Sequence, residues 1–203
     1  LADQVDEGKI EGIVSHTAAS ATWNVPTQSL IEQLVNDTSV TDLVNRPENR
    51  YMPQATVERW ADAKKSQLAE RGFSPALGAE AIELRRSIIR QLHEAGAGLL
   101  LGSDAPQIFN VPGFSILDEQ GFLVAAGIRG CVGLHSGTTA AAEFLGVVGG
   151  AIATGKLADL VLLDENPLDD IANSRRVHGV MLRGEWYSYR DLADRLEPFA
   201  IEN

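Results

Sequence analysis

Residues 97–113, with the sequence AGLLLGSDAPQIFNVPG, decide the prediction of the fold. The apolar run 97–101 predicts a short strand that is buried on both faces. The segment before it, residues 78–96, has apolar residues on one helical stripe and ends at Gly96, a residue type that commonly terminates helices. A helix, a glycine and a buried strand form the αβ half of a parallel α/β unit. Functional side chains of such folds gather where strands end, so Asp104 is the first candidate functional residue.

The residues around Asp104 leave two interpretations open. An aspartate after a strand is about as often a helix cap or a turn former as a catalytic group. The sequence has no GxxxxGK[ST] phosphate loop, no GxGxxG after a strand and no GxSxG nucleophile turn. From the residues alone, therefore, Asp104 is a candidate without identified partners.

The histidines and the cysteine do not form a recognisable site in the sequence. The histidines are separated by more than 40 residues from one another, whereas zinc sites usually use closely spaced pairs. Structural roles are expected for all of them: His16, His93, His135 and His178. The one cysteine, Cys131, excludes an internal disulfide and fits a reducing, cytoplasmic compartment. We expect it to be a small buried side chain rather than a nucleophile.

Composition narrows the classes of partner. The chain has 203 residues and a net charge of −11, with 44% hydrophobic and 22% charged residues. This charge argues against a nucleic-acid or anionic-membrane surface, because both need clustered Lys and Arg. No run of 18 apolar residues is present, so no membrane span is predicted.

The pattern along the chain predicts an α/β body at 1–146 and a β-rich tail with a terminal helix at 147–203. In the body, TQSLIEQLVN (27–36) predicts a helix that Thr27 caps and that buries its apolar residues. In the tail, 156–164 predicts a strand and 177–187 a hairpin that turns at Arg183 and Gly184.

Several segments resemble the amidohydrolase superfamily, in particular the imidazolonepropionase and prolidase-like branch of metal-dependent hydrolases. The resemblance covers nearly the whole chain. It is carried by LLLGSDAP, NVPGFS, SGTTAAAEFLG, WNVPTQ, RYMPQATVERW and, most specifically, GKLADLVLLDENPLDDI with GVMLRG. It implies the C-terminal part of a (β/α)₈ barrel of the TIM type, from about strand 7 onward, plus strands of a small flanking β-sandwich.

The resemblance also implies a site. In the family, an Asp that ends strand 8 is a metal ligand and the general base for metal-bound water, and Asp104 matches it. The implied cofactor is a divalent metal, with zinc expected. The implied substrate is a small amide, cyclic amide or dipeptide-like molecule, and the loops after strands 7 and 8 would line its binding site with Thr27, Gln28, Gln107 and Phe109.

Most of the family's metal ligands have no counterpart here. No H-x-H occurs in the sequence, and a full barrel of this type takes about 250 residues. We therefore expect the chain to be the C-terminal portion of such an enzyme and to be inactive alone. The alternative is a non-catalytic truncated module, or a subunit that associates with itself or with a missing N-terminal half, since open strand edges favour pairing.

Overall fold

The computed structural model describes residues 5–70 and 72–201, which form a mixed α/β fold. The helices are α1 Ile10–Ala19, α2 Gln28–Val35, α3 Val40–Val44, α4 Gln54–Ala69, α5 Pro75–Glu94, α6 Ser115–Ala125, α7 Gly130–Ser136, α8 Thr139–Leu145 and α9 Tyr189–Leu196. The strands are β1 Trp23–Asn24, β2 Gly98–Leu99, β3 Leu160–Leu163, β4 Val177–Leu182 and β5 Glu185–Ser188. Short 3₁₀ helices occupy Glu7–Lys9, Pro47–Tyr51, Ile171–Arg175 and Glu197–Phe199.

Strands β1 and β2 are parallel neighbours in the body, with Trp23 opposite Gly98 and Asn24 opposite Leu99. Gly98 is required by this pairing, because a Cβ at that position would lie 2.6 Å from the Trp23 ring. The Leu100 amide continues the pairing by donating to the Asn24 carbonyl at 2.9 Å. The predicted strand at 97–101 is therefore present, although its regular part is only two residues long.

Two apolar clusters form the core of the body. One joins α3 and α4 to the loop after β2, and the other joins α5, β2 and α6. The first contains Leu43, Val57, Trp60, Ala61, Phe109 and Val111. The second contains Ile89, Leu99, Leu123, Ala126 and Ile128. The loop after β2 is thus anchored in the core at Phe109 and Val111.

Helix α2 forms where the sequence predicts it, but two expectations about it are wrong. Its fully buried residues are polar, namely Gln28, Ser29, Glu32 and Gln33, whereas its apolar residues are half-buried. Thr27 stands at the N-terminal position but its hydroxyl does not cap the helix; it donates to the Pro26 carbonyl instead. The polar face can point inward because neighbouring helices supply partners for it, as described below.

The tail contains the antiparallel sheet β3–β4–β5. The β4–β5 hairpin turns at Arg183 and Gly184, both with positive φ, as predicted. Ser188 and Asp191 form a capping box that starts α9. Body and tail meet at Asp118 of α6, whose carboxylate binds Arg46 at 2.7 Å and Arg175 at 2.5 Å.

Other expectations need correction or remain open. Cys131 is exposed rather than buried, because it lies on the outer face of α7. Within the described ranges the strands form a two-stranded and a three-stranded sheet and do not close a barrel. The assignment of 1–146 to a barrel segment and of 147–203 to a β-sandwich therefore stays a prediction. No helix in the described part of the chain combines the length and apolarity needed to cross a membrane.

Candidate functional site

The carboxyl ends of β1 and β2 lie at the same edge of their sheet because the two strands are parallel. The segment that follows β1 leads into α2, and the segment that follows β2 carries Asp104. These two connections form the candidate site, at the position where α/β folds place functional groups.

Asp104 projects an exposed side chain from a tightly folded loop. The Gln107 side-chain amide donates to Asp104 Oδ2 at 2.9 Å, and the Asn110 amide donates to the Gln107 carbonyl at 2.7 Å. Asp104, Ile108 and Phe109 all have positive φ, a conformation that costs a non-glycine residue about 1–3 kcal/mol in many contexts. The surrounding contacts must therefore determine this loop conformation.

Those contacts are buried and polar. The Asn110 side-chain amide donates to the Ser103 carbonyl at 2.6 Å and to Ser29 Oγ at 3.3 Å. Ser103 Oγ and Ser115 Oγ are 2.8 Å apart, and Ser115 Oγ also donates to the Val111 carbonyl. Side chains from α2, from the Asp104 loop and from α6 thus meet beneath Asp104.

Glu119 of α6 caps helix α2. Its two carboxylate oxygens accept from the backbone amides of Gln28 at 3.0 Å and Ser29 at 2.6 Å, and the side chain is fully buried. A carboxylate suits the positive end of the helix dipole. Burial raises the pKa of Glu119 from its ordinary value, and the amides of Ser29 and Gln28 oppose that rise.

Side chains also bind the inward face of α2. Arg85 Nε donates to Gln28 Oε1 at 3.0 Å, and burial lowers the pKa of Arg85. Arg86 Nη2 lies 2.7 Å from Glu32 Oε1, which also accepts from the side-chain amide of Gln28. These contacts explain how the polar face of α2 can be buried.

Lys64 of α4 is fully buried at the opposite end of α2. Its Nζ donates to the carbonyls of Gln33 and Asn36, at 2.9 and 2.7 Å, and to Asn36 Oδ1 at 3.1 Å. A cation suits this end of a helix, where carbonyls lack partners within the helix. Burial lowers the pKa of Lys64 to about 8.

The structure places the predicted site residues in two environments. Asp104 and Gln107 are both exposed and are hydrogen-bonded to each other. Gln28 and Phe109 are buried: Gln28 binds Arg85 and Glu32, and Phe109 packs edge-on against Trp60. Thr27 is half-buried at the start of α2. The substrate-side roles of these residues stay predictions.

The sequence analysis missed Glu119 and Lys64, and it expected Asn110, together with Gln107, to line the substrate-binding site rather than to form buried hydrogen bonds. A usable signal existed for the two charged residues, because each lies on a buried helical stripe. Glu119 follows Ile116 by three residues and precedes Leu123 by four, and Lys64 follows Trp60 by four. A charge at core spacing indicates a buried partner.

The described residues do not make a metal site on their own. Within 5–70 and 72–201, no group of three or more His, Cys, Asp or Glu side chains is arranged to hold a metal ion. Asp104 offers one carboxylate, whereas a catalytic zinc normally takes three protein ligands. The residues present therefore fit one ligand position at most.

The structure defines the chain as a mixed α/β protein, and the comparisons identify its family. The sequence profile of the amidohydrolase family matches residues 9–187. The chain belongs to the amidohydrolase family, a hydrolytic family whose members generally use divalent metals. No curated protein sequence matches significantly.

Three solved structures similar to the chain are longer than it is. A bottromycin amidohydrolase is 20% identical with a TM-score of 0.71, covering 99% of this chain and 47% of its own. A Xaa-Pro dipeptidase with bound methionine is 21% identical with a TM-score of 0.60, covering 87% and 37%. A prolidase complexed with N-methylphosphonate-L-proline is 25% identical with a TM-score of 0.56, covering 88% and 38%. The chain spans less than half the length of each.

Proposed function

We propose that this chain is the C-terminal portion of a metal-dependent hydrolase of amide or cyclic amide C–N bonds, to which Asp104 contributes a metal-binding carboxylate. The observation that carries the proposal is the placement of Asp104. It is an exposed carboxylate at the carboxyl edge of two parallel strands, held on a loop of defined conformation. Membership of the amidohydrolase family supports the type of reaction.

The pairing of β1 with β2 supports the proposed place in a barrel. Strands 7 and 8 of a (β/α)₈ barrel are parallel neighbours connected through a helix. In this chain the connection from β1 to β2 contains helices α2 to α5, of which α5 directly precedes β2. The barrel segment would be 1–146, and the tail 147–203 would belong to a β-sandwich. The limited share of each similar structure that the chain covers is consistent with a portion of a larger fold.

The remaining metal ligands would come from residues outside this sequence. Asp104 would supply one carboxylate oxygen, and the Gln107 amide would hold the other oxygen, Oδ2, in place. When bound, the metal, for which zinc is the expected identity, would supply an activated water and polarise the substrate carbonyl. Asp104 would also take up and return a proton as general base, the role that the resemblance implies, whereas the other residues described here are assigned binding and orientation only.

The substrate class we propose is a small amide or a dipeptide-like molecule. Two of the similar structures are a Xaa-Pro dipeptidase and a prolidase, which supports this class. Thr27 and Gln107 are the better placed of the proposed substrate-side residues, because both have exposed or half-buried side chains. Gln28 and Phe109 would act indirectly, by supporting the loops that carry Thr27 and Gln107.

A second candidate function is a non-catalytic module that associates with another chain or with itself. Two observations favour it: the described residues form no three-ligand cluster, and β1 and β2 pair only with each other among them. Unpaired strand edges are templates for a further strand. Light scattering checks this candidate, since a monodisperse 21.8 kDa monomer would argue against it.

The test compares the 203-residue chain with a polypeptide that also carries whatever segment its reading frame encodes upstream. Metal content is measured by mass spectrometry, and hydrolysis is measured on dipeptides with C-terminal proline and on acyl-amino acids. We expect no stoichiometric metal and no turnover for the short chain, and both for the longer polypeptide. Asp104→Asn in the longer polypeptide should reduce kcat/KM by about 100-fold or more.

Asp164→Asn is the matched control, because Asp164 is an exposed carboxylate in the tail. It should leave metal content and turnover unchanged. Full activity in Asp104→Asn would overturn the assigned role of Asp104. Stoichiometric metal and turnover in the short chain would instead overturn the proposal that it is an incomplete portion.

A further inference from the structure

A continuous path of buried hydrogen bonds runs from α6 through α2 to the backbone beside Asp104. Glu119 binds the backbone amide of Ser29 at 2.6 Å, and the Ser29 hydroxyl accepts from the Asn110 side chain at 3.3 Å. The same Asn110 side chain donates to the Ser103 carbonyl at 2.6 Å. Ser103 is the residue immediately before Asp104.

Every member of this path lies in the interior. Glu119, Ser29 and Asn110 are completely inaccessible to solvent, and Ser103 is 8% exposed. In such surroundings a donor or acceptor that loses its partner cannot turn to water instead, so the contacts are mutually dependent. The network therefore permits few arrangements of the Asp104 backbone.

The path also ties together the two loops of the candidate site. Glu119 fixes the start of α2, and so the connection that follows β1. Asn110 fixes the connection that follows β2. Because Ser29 contacts both Glu119 and Asn110, a displacement of one connection must also alter the contacts of the other.

We propose that Glu119 and Asn110 are positioning residues, which couple the start of α2 to Ser103 and thereby set the placement of the Asp104 carboxylate. The importance of this placement for hydrolysis rests on the proposed function. The coupling itself does not, since it concerns hydrogen bonds within the chain. A merely structural cap would stabilise α2 without transmitting anything to the Asp104 loop, and this difference is measurable.

The experiment is amide hydrogen exchange on the ¹⁵N-labelled chain and its variants. Glu119→Gln keeps the size of the side chain but leaves one helix amide without an acceptor. Asn110→Leu removes both donors at nearly constant volume. Gln120→Leu is the matched control: it also replaces a buried amide with leucine, next to Glu119, and its Oε1 has no partner in the described structure.

The decisive readouts are the cross effects, meaning the effect of each substitution on amide exchange at the other, distant residue. Glu119→Gln should speed exchange of the Asn110 amide at least tenfold, and Asn110→Leu should do the same for the Ser29 amide. Exchange inside α5 should change less than twofold, and Gln120→Leu should leave both cross readouts unchanged. Backbone relaxation should show the Asp104 amide becoming flexible in both variants, with an order parameter below about 0.6.

Unchanged exchange at the distant site in either folded variant would overturn the proposal. Equal acceleration at the distant site and inside α5 would also overturn it, because it would mean general destabilisation. Glu119→Gln is the mild variant and keeps the test usable if Asn110→Leu fails to fold. If the proposed function is wrong, Asp104→Asn will keep full activity, but the exchange results will be unaffected. The failure of one proposal can therefore be distinguished from the failure of the other.

Discussion

The charged residues of the body and those of the tail have different physical roles. Around α2, Glu119 and Lys64 are fully buried; Glu119 accepts from two backbone amides, and Lys64 donates to three oxygens. In the tail, the ion pair of Arg176 with Glu165 has side chains that are 57% and 52% exposed. Exposed pairs contribute about 0–1 kcal/mol, whereas a buried polar group that loses its partner costs about 1–3 kcal/mol. Burial, rather than the number of ion pairs, should therefore decide which charged residues stabilise this fold.

Apolar residues show the same distribution. Among the described residues, all buried hydrophobic ones lie between Val14 and Ala142, in the body. Strand β3 of the tail leaves about half of the surface of Val161 and Leu162 exposed, and these consecutive residues point to opposite faces. Helix α9 packs against β4 and β5. The body thus resolves its polar contacts internally, and the tail leaves apolar surface open.

The largest expected effect is that of Glu119→Leu. The substitution leaves the amides of Gln28 and Ser29 without acceptors in the interior, and should lower the free energy of unfolding by about 3–5 kcal/mol. Urea denaturation followed by circular dichroism measures it. The control Glu165→Leu changes an exposed glutamate of the tail and should cost less than about 0.5 kcal/mol. Equal losses in the two variants would remove the contrast between body and tail.

Lys64→Met should follow, with a loss of about 2–3 kcal/mol at pH 7, because it removes the ammonium from three oxygens near the end of α2. Lys65→Met, on the exposed side of the same helix, is the control and should be nearly neutral.

The difference in unfolding free energy between the wild type and Lys64→Met should depend on pH. The pKa of Lys64 is lowered to about 8 in the folded chain, so between about pH 8 and its ordinary pKa of 10.5 the unfolded chain binds more protons. The unfolding free energy of the wild type should therefore rise relative to Lys64→Met over that range. A gap that is constant or that shrinks would contradict the lowered pKa.

Much of the fold could be predicted from local pattern. The helix that ends at Gly96, the strand that follows it, and the hairpin at Arg183 and Gly184 each depend on nearby residues, and all three form. The orientation of α2 could not be predicted in this way. Its inward face is polar because of Arg85, Glu119 and other residues distant in the chain, which no local pattern reports.

The candidate site likewise contains residues that the local sequence indicates and residues that depend on distant contacts. Asp104 could be proposed because it directly follows an apolar strand and lies in segments that resemble a family. Its supporting residues, Asn110 and Glu119, act through contacts between segments up to 91 residues apart. The position of Glu119 on a buried helical stripe indicates burial but not a partner, and Asn110 lies in a loop without such a signal, so the network could be found only in the structure.

Asp118→Asn is expected to have an intermediate effect and tests the junction of body and tail. Asp118 is 13% exposed and binds Arg46 and Arg175, so loss of its charge should cost about 1–2 kcal/mol. Asp164→Asn, which weakens an exposed pair within the tail, should cost less than about 0.5 kcal/mol. Urea denaturation of both variants measures the difference. If Asp164→Asn costs as much as Asp118→Asn, burial does not separate the two regions.

The smallest expected effect is that of Asp104→Asn, which should change the free energy of unfolding by less than about 0.5 kcal/mol. Asparagine tolerates positive φ as aspartate does, and its side-chain oxygen can still accept from Gln107. Asp104→Ala should cost about 1–2 kcal/mol, because alanine at positive φ is strained and offers no acceptor. Thermal denaturation of both variants, combined with the metal and turnover assays of Asp104→Asn in the longer polypeptide, distinguishes the two interpretations that the sequence left open. If Asp104 only forms a turn, asparagine should replace it without effect in every assay. If Asp104 is a metal-binding carboxylate, Asp104→Asn should lose function while the fold stays intact.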